Sequence, residues 1–353
     1  MTGREENGDE GRRRGRRSGA LKAVGLTLAG ALVLGAAAAG WAYWHLNSNI
    51  KSVDINSALG DDRPAQAVTT PTPSGTASAS AAPLPTKALN ILVLGSDSRS
   101  GEENQALGGG DSSGARSDTA MVVHLAAGRT TATVVSIPRD TLVTRPSCPL
   151  SSGGSTAVAY NSMFNSAYSV GGPVCAVKTV ESITDVRMDH YIEIDFAGFA
   201  KLVDALGGVT VTTDEDIDDD DSHLELDAGT HELDGEQALA FARTRHGIGD
   251  GSDLGRIGLQ QKLVKALLEQ ISSTNLLTDP AKLYRVADAV TGSLTTDTGL
   301  NSLTELMRLG ESLHGLSADR VTTVTMPVVT APSNQYRVVA DEPEARELWE
   351  SLR

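Results

Sequence analysis

The sequence predicts an α/β fold: a single α/β/α-type sandwich around a mixed central sheet, preceded by one transmembrane helix and a disordered linker. Three observations predict it. From Leu89 onward, apolar runs of strand length alternate with amphipathic stretches of helix length. A charge-free apolar run of 22 residues, Ala23–Trp44, stands near the N-terminus. Between the two lies a segment rich in Pro, Thr, Ser and Ala.

Residues 1–22 form a basic tail with six arginines: Arg4, Arg12, Arg13, Arg14, Arg16 and Arg17. At about 1.5 Å per residue the run 23–44 gives about 33 Å of helix, enough to cross a hydrocarbon core. Trp41, Tyr43 and Trp44 close it, where amphipathic rings favour an interface. Positive charge stays inside, so the expected topology is single-pass in the cell membrane, N-terminus cytoplasmic and bulk extracytoplasmic. A cleaved signal peptide is the competing reading, but the run exceeds the roughly 7–15 apolar residues of such a leader. Residues 45–86 read as an extracytoplasmic linker, because Asp61–Thr86 buries too little apolar surface to fold. The globular domain is then expected over 87–353, a length that suits one large domain.

Charge is uneven. Residues 1–22 hold seven of the 30 basic and four of the 45 acidic residues, leaving a net charge of −18 on the rest. That argues against nucleic acid as a partner. An anion site in this domain has to be a local cluster working against the global field. Cys148 and Cys175 are the only cysteines, and an oxidising compartment suggests one disulfide between them. It would close a loop of about 26 residues and contribute roughly 3 kcal/mol. Two buried thiols are the alternative.

Leu89–Leu94 reads as a buried strand ending at Gly95, and the polar, glycine-rich stretch Ser96–Ser117 as a loop. Thr119–Leu125 and Thr131–Ile137 are strands separated by a turn at Gly128-Arg129. Asn161–Val170 and Gly172–Thr184 read as helices, the second with Pro173 near its start. His190–Ile194 is a strand, Phe196–Leu206 a helix stopped by Gly207-Gly208, and Val209–Thr213 a strand. A short helix over Gly235–Ala240 runs into Phe241-Ala-Arg243-Thr-Arg245. A long helix over about Leu254–Ile271 carries Leu259, Leu263, Leu267 and Ile271 at helical spacing. Helices over Pro280–Thr291 and Leu300–Leu313, then the apolar run Val321–Val329, complete the outline.

Three loops pair an arginine with an aspartate where strands begin or end: Gly95-Ser-Asp97-Ser-Arg99, Ala115-Arg116-Ser-Asp118-Thr119 and Pro138-Arg139-Asp140. Ligands of α/β sheets bind outside strand ends, so these loops can share a pocket. Guanidinium forks fit phosphate oxygens, and carboxylates beside phosphate commonly hold Mg²⁺. Ordinary surface ion pairs are the bland alternative. If the segment 241–245 is extended, Arg243 and Arg245 share a face. Arg256 and Gln260 are i and i+4 near a helix N-terminus, itself favourable to anions. The acidic run Asp214–Asp221 lacks EF-hand spacing and reads as a solvated loop, with Ca²⁺ binding the sharper alternative. His246 offers a further donor beside the arginines, and His124, on a strand, reads as structural.

In order along the chain, LVLGSDSR, ARSDTAMVVHL, VVSIPRDT, NSMFNSAYSVGG, DHYIEIDFAGFAKLVDALGGVTV and LDGEQALAFARTRH…DLGRIGLQQ resemble the LytR-CpsA-Psr family of cell-wall glycopolymer–peptidoglycan ligases. The resemblance spans roughly residues 89–270. It implies transfer of a glycopolymer from a polyprenyl-pyrophosphate carrier to peptidoglycan at the cytoplasmic membrane's outer surface, forming a phosphodiester. It further implies Mg²⁺, with Mn²⁺ as the alternative, at Asp97 and Asp118. Arg99, Arg116, Arg139, Arg243, Arg245, Arg256 and Gln260 match the pyrophosphate-binding set. Asp253 matches an aspartate near the reacting centre, so Arg99, Arg116 and Asp253 are the expected catalytic groups. Asp140 is expected to orient Arg139. The aromatics Phe164, Tyr168, Phe196 and Phe199 would wall an apolar tunnel for the prenyl chain, or simply be core. One departure stands out: family members often carry arginine where Leu259 precedes Gln260-Gln261. A hydrolase of the lipid pyrophosphate, and a non-catalytic lipid-binding or regulatory protein, are the competing functions.

Overall fold

The structure, a computed structural model, describes residues 35–61, 63–66, 87–96, 117–245, 253–274 and 279–353, the side chains of Ser117 and Asp118 excepted. The chain forms two units, Met1–Ser48 and Asn49–Arg353. In the first, the residues described are helical from 35 onward, and Trp41 stacks on His45 with ring centroids 5.3 Å apart. Residues 23–34 of the expected transmembrane helix lie outside the described residues. Among those described, no helix is long and apolar enough to cross a membrane.

The second unit opens with strand β1 (Lys51–Val53) and helix α1 (Ile55–Leu59), capped where the Ser57 N–H donates to Asp54 at 3.0 Å. Strands β2 (Leu89–Ser96), β3 (Ser117–Leu125) and β4 (Ala132–Ser136) follow where the apolar runs lead one to expect them. A hairpin of β5 (Leu142–Arg145) and β6 (Ala159–Met163) precedes the long helix α2 (Ser166–Thr184). Strand β7 (His190–Asp195) runs directly into α3 (Phe196–Leu206). Asp195 ends the strand and caps the helix, accepting the Gly198 N–H at 2.7 Å. Four short strands, β8 (Val209–Thr213), β9 (Ile217–Asp219), β10 (Leu224–Leu226) and β11 (Gly229–Leu233), pair as β8–β11 and β9–β10. Then come α4 (Gly235–Arg243), α5 (Asp253–Ser273), α6 (Pro280–Ser293), β12 (Leu294–Asp297) and α7 (Leu303–Ser312). Strands β13 (Val321–Thr325), β14 (Val328–Ala331) and β15 (Asn334–Ala340) and helix α8 (Glu344–Glu350) complete the chain.

The central sheet is mixed, in the order β1-β12-β7-β2-β3-β4-β13, with β1/β12, β7/β2 and β4/β13 parallel and the other pairs antiparallel. Period-two alternation sends Leu92, Leu94 and Val122 to one face, against Val177 and Val180 of α2 and Trp349 of α8. Ile91, Met121 and Val134 go to the other face, with Val264 and Leu268 of α5 and Leu309 of α7. Helices therefore cover both faces, and the expected α/β/α sandwich holds. A third core joins α3, α4, α5 and the small hairpins around Val203, Val211, Ile217, Leu233, Phe241 and Leu263. Each such buried side chain stabilises the fold by about 1.5–3 kcal/mol.

Several expectations are corrected. The folded unit begins at Asn49, not Lys87. Strand β1 pairs with β12, Ile55 and Leu59 enter the core, and Arg63 is buried against Glu181. Their guanidinium and carboxylate, 2% and 3% exposed, meet at 2.6 Å, and Arg63 also donates to the Met188 carbonyl at 2.8 Å. A single long-range ion pair and an edge strand are invisible to local composition. Part of the expected 45–86 linker is therefore sheet and core. Residues 67–86 of the expected linker lie outside the described residues.

Ala159–Met163 is a strand, and one helix spans Ser166–Thr184, interrupted at Gly171 and Gly172. That interruption serves the disulfide, which joins Cys148 to Cys175. A Cβ on Gly171 would lie 2.7 Å from that of Cys175. The short helix before Arg245 runs on through Arg243, and Val321–Val329 divides into two strands.

Candidate functional site

A cavity of about 330 Å³ opens between the sheet and helices α3, α4 and α5. Val93, Met121, Ile194, Phe199, Leu263 and Leu267 make its apolar interior. Its polar lining comes from Arg243, Arg245, Arg256 and Gln260 with Asp195, Asp219, Asp221 and Ser222. Gly95 and Thr119 lie alongside, and a Cβ on Gly95 would sit 3.1 Å from that of Thr119, so the two strands approach here at glycine's limit.

Each donor is held by a local device. Arg243 is the last residue of α4, a helix started by the Asp234/Gln237 capping box. Its guanidinium lies over the Phe196 ring, 5.0 Å from the centroid. Thr244 then leaves helical geometry, so Arg243 and Arg245 reach the cavity from a helix end and the turn after it, not from one extended strand. The Arg245 N–H donates to Asp219 at 2.6 Å. Arg256, 3% exposed, stands in the first turn of α5 and pairs with Asp253. Gln260, one turn on, donates from Nε2 to the Ala242 carbonyl at 2.9 Å. It thereby fastens the end of α4 to α5.

Arg139 is not among the cavity-lining residues but belongs to the same network. Its N–H donates to Asp253 at 3.2 Å and its Nε lies 3.5 Å from the other Asp253 oxygen. Asp140 stands 3.9 Å from Arg139 and 3.3 Å from Arg337, so the expected orienting role is shared with a second arginine from β15. Burial holds the Asp253 carboxyl above its ordinary value of 3.8, opposed by Arg256 and Arg139 and reinforced by Asp140.

The LytR_cpsA_psr family model matches residues 42–353. The chain belongs to that family. It is 35% identical over 276 residues to the probable cell wall biosynthesis protein LcpB of Corynebacterium glutamicum, covering 76% of this chain and 62% of that one. It is 30% identical over 241 residues to the polyisoprenyl-teichoic acid–peptidoglycan teichoic acid transferase TagV of Bacillus subtilis, covering 66% of this chain and 57% of that one. The chain thus spans under two thirds of the length of these curated relatives. The crystal structure of B. subtilis TagV superposes with a TM-score of 0.58 at 27% identity, over 76% of this chain and 97% of that chain.

Of the residues that LytR_cpsA_psr motifs single out, Arg243, Arg245, Arg256 and Gln260 converge on the cavity, and Arg139 and Asp253 adjoin it through Arg256. Asp97, Arg99, Arg116 and His246 lie outside the described residues, as does the Asp118 side chain. The register still informs: Ser96 pairs with Ser117, and Gly95 with Thr119. That pairing lies at one end of β2 and β3, where Gly95 and Thr119 line the cavity. Among the described residues no group of three His, Cys, Asp or Glu side chains could hold a metal.

Two expectations need revision. Phe196 and Phe199 line the cavity, but Phe164 and Tyr168 pack on the opposite sheet face. There the Tyr168 hydroxyl donates to Glu193 at 2.5 Å. Residue type alone cannot say which face a helix presents. Leu259 points into the third core, so the missing family arginine is replaced by apolar packing. His124 is structural, with Nδ1 2.8 Å from the Asn90 side-chain oxygen. The acidic run is solvated in part only: Asp214 pairs with Lys262 at the surface, but Asp219 is 2% exposed and sits at the cavity. The available signal was alternation, since Ile217 and Asp219 are two apart on one strand face.

Proposed function

We propose that this LytR_cpsA_psr protein transfers a glycopolymer from a polyprenyl-pyrophosphate carrier to peptidoglycan. The observation that carries the reading is an apolar cavity lined by three arginines in a domain of strongly negative charge. A ligand with an apolar chain and a multiply charged anionic head fits that combination. The prenyl chain would lie along Met121, Ile194, Leu263 and Leu267, and the pyrophosphate would take Arg243, Arg245 and Arg256. The relatives' printed names, probable cell wall biosynthesis protein and teichoic acid transferase, support this reading.

In this reading an acceptor sugar hydroxyl attacks the phosphorus attached to the glycan. The bond from that phosphorus to the bridging oxygen breaks, prenyl phosphate leaves with the electron pair, and the hydroxyl proton passes to solvent or a nearby base. The phosphodiester forms without a covalent enzyme intermediate. Such transfer needs positioning and charge stabilisation more than a nucleophile. Asp253 keeps Arg139 and Arg256 in place, and Arg99 and Arg116 are assigned to the same head group. Mg²⁺, or Mn²⁺, is assigned to Asp97 and Asp118, whose chain neighbours the β2–β3 register brings together. When bound, it would offset charge on the pyrophosphate oxygens. The apolar run 23–44 is assigned as a single-pass anchor with the domain outside the cell.

The test incubates the full chain with a labelled lipid-pyrophosphate glycan, Mg²⁺ and peptidoglycan oligomers. Label on peptidoglycan is expected. Free glycan phosphate alone would make the protein a hydrolase, and retained lipid without turnover would make it a binding module. Either result rejects the transferase reading.

A further inference from the structure

The acidic run hides one carboxylate that behaves unlike its neighbours. Hairpin β9–β10 pairs Asp219 with Leu224 and Ile217 with Leu226. Alternation turns Ile217 and Asp219 inward while Asp218 faces solvent. Ile217 and Leu224 enter the third core beside Leu233 and Phe241, which anchors the hairpin. Asp219 therefore has no choice of face: register brings a carboxylate, 2% exposed, to a buried position lining the cavity. Burying an ionised carboxylate is costly unless hydrogen bonds offset it.

Those hydrogen bonds are directed. One Asp219 oxygen accepts the Arg245 N–H at 2.6 Å. The other accepts the N–H groups of Asp221 at 3.0 Å and Ser222 at 3.4 Å, shaping the turn of the hairpin. A second latch lies one residue back along the arginine segment. The Ser222 hydroxyl is 2.9 Å from the hydroxyl of Thr244, a fully buried residue that also donates to the Ala240 carbonyl at 3.0 Å. The hairpin thus holds residues 244 and 245 just past the end of α4, with Arg245 at the cavity.

We propose that hairpin β9–β10 is the positioning element of the anion cradle, and that Asp219 is a positioning residue that sets Arg245 for a pyrophosphate-bearing ligand. It acts through the Arg245 backbone, not by touching the ligand. The inference rests on the functional reading above and adds a residue that the arginine-centred motifs do not single out. A carboxylate beside an anion site would ordinarily repel the ligand. Here its charge is engaged by backbone N–H groups, and its effect on binding is favourable.

The test is a double-mutant cycle on the full chain, read as affinity for a short, water-soluble prenyl pyrophosphate. Asp219→Asn is isosteric but turns N–H groups that need an acceptor toward an amide. Alone it should weaken binding at least about tenfold, the scale of one charged hydrogen bond. In an Arg245→Ala background it should weaken binding less than about twofold, because its effect passes through Arg245. A purely structural role would weaken both backgrounds alike. Ser222→Ala removes the Thr244 latch and a longer, 3.4 Å bond to the Asp219 carbonyl, and carries the test if Asp219→Asn does not fold. It should weaken binding a few-fold alone and not at all beside Arg245→Ala. Equal losses in both backgrounds, or no loss in either, overturn the proposal while wild-type binding leaves the functional reading standing. Failure of the wild type to bind the probe removes both.

Discussion

Arg139 and Asp253 meet across 114 residues of sequence, the N–H of one donating to the carboxylate of the other at 3.2 Å. The same carboxylate pairs with Arg256, so a loop after β4 and the first turn of α5 are fixed together beside the cavity. Protonating Asp253 would dissolve both ion pairs. Burial, reinforced by Asp140, holds its carboxyl above 3.8 despite the two arginines. A raised carboxyl takes up its proton earlier as pH falls. Prenyl-pyrophosphate binding should therefore weaken on acidification, starting at a higher pH than an unperturbed aspartate would give. Asp253→Asn should bind more weakly at neutral pH and lack that acid limb. A limb unchanged in the variant would assign it to another group.

The buried Arg63–Glu181 pair makes a sharp statement about where the domain begins. Removing one partner of a buried pair leaves an uncompensated charge and costs about 3–5 kcal/mol. Arg63→Ala should lower the urea midpoint accordingly. A chain starting at Asn49 should unfold cooperatively, and one starting at Lys87 should be far less stable, having lost β1 and α1. Equal midpoints for the two chains would contradict the corrected boundary.

The disulfide spans a sequence separation of 27 residues and ties the loop before β6 to α2. Chain entropy assigns such a link about 3 kcal/mol. Replacing both cysteines with serine should lower stability by about that amount, measured by urea unfolding under oxidising conditions, and should make the protein indifferent to added reductant.

Phe196 presents its ring to Arg243 at 5.0 Å while lining the cavity. Phe196→Leu keeps the lining apolar and removes the cation–π contact. Binding of a prenyl pyrophosphate should weaken by about 1 kcal/mol, roughly fivefold. Binding of the corresponding prenol, which lacks the anionic head, should change less. Equal losses for both would place the effect in the apolar lining instead.

Much of this was legible in the sequence, for reasons that differ by element. Strands β2, β3 and β4 are short apolar runs, and α5 carries leucines at helical spacing, so periodicity alone finds them. Arg243, Arg245, Arg256 and Gln260 stood out as donors concentrated in an acidic chain, and all line one cavity. What remained hidden depends on partners far away in sequence. Arg63 looks like linker until Glu181, 118 residues on, is seen beside it. Asp219 looks like one of several solvated acids until the hairpin register turns it inward. Phe164 and Tyr168 share composition with Phe196 and Phe199 but pack on the other sheet face. Gln260 was expected to bind pyrophosphate, and its amide also donates to the Ala242 carbonyl, a role that side-chain chemistry alone does not reveal.

In this reading the apolar cavity and its arginines form one site for one amphipathic ligand. A crystal structure of the protein with a short prenyl pyrophosphate tests this most directly. The prenyl chain is expected between Met121, Ile194, Leu263 and Leu267, and phosphate oxygens within hydrogen-bonding distance of Arg243, Arg245 and Arg256. A pyrophosphate bound away from these arginines, or a prenyl chain lying outside the cavity, would contradict it.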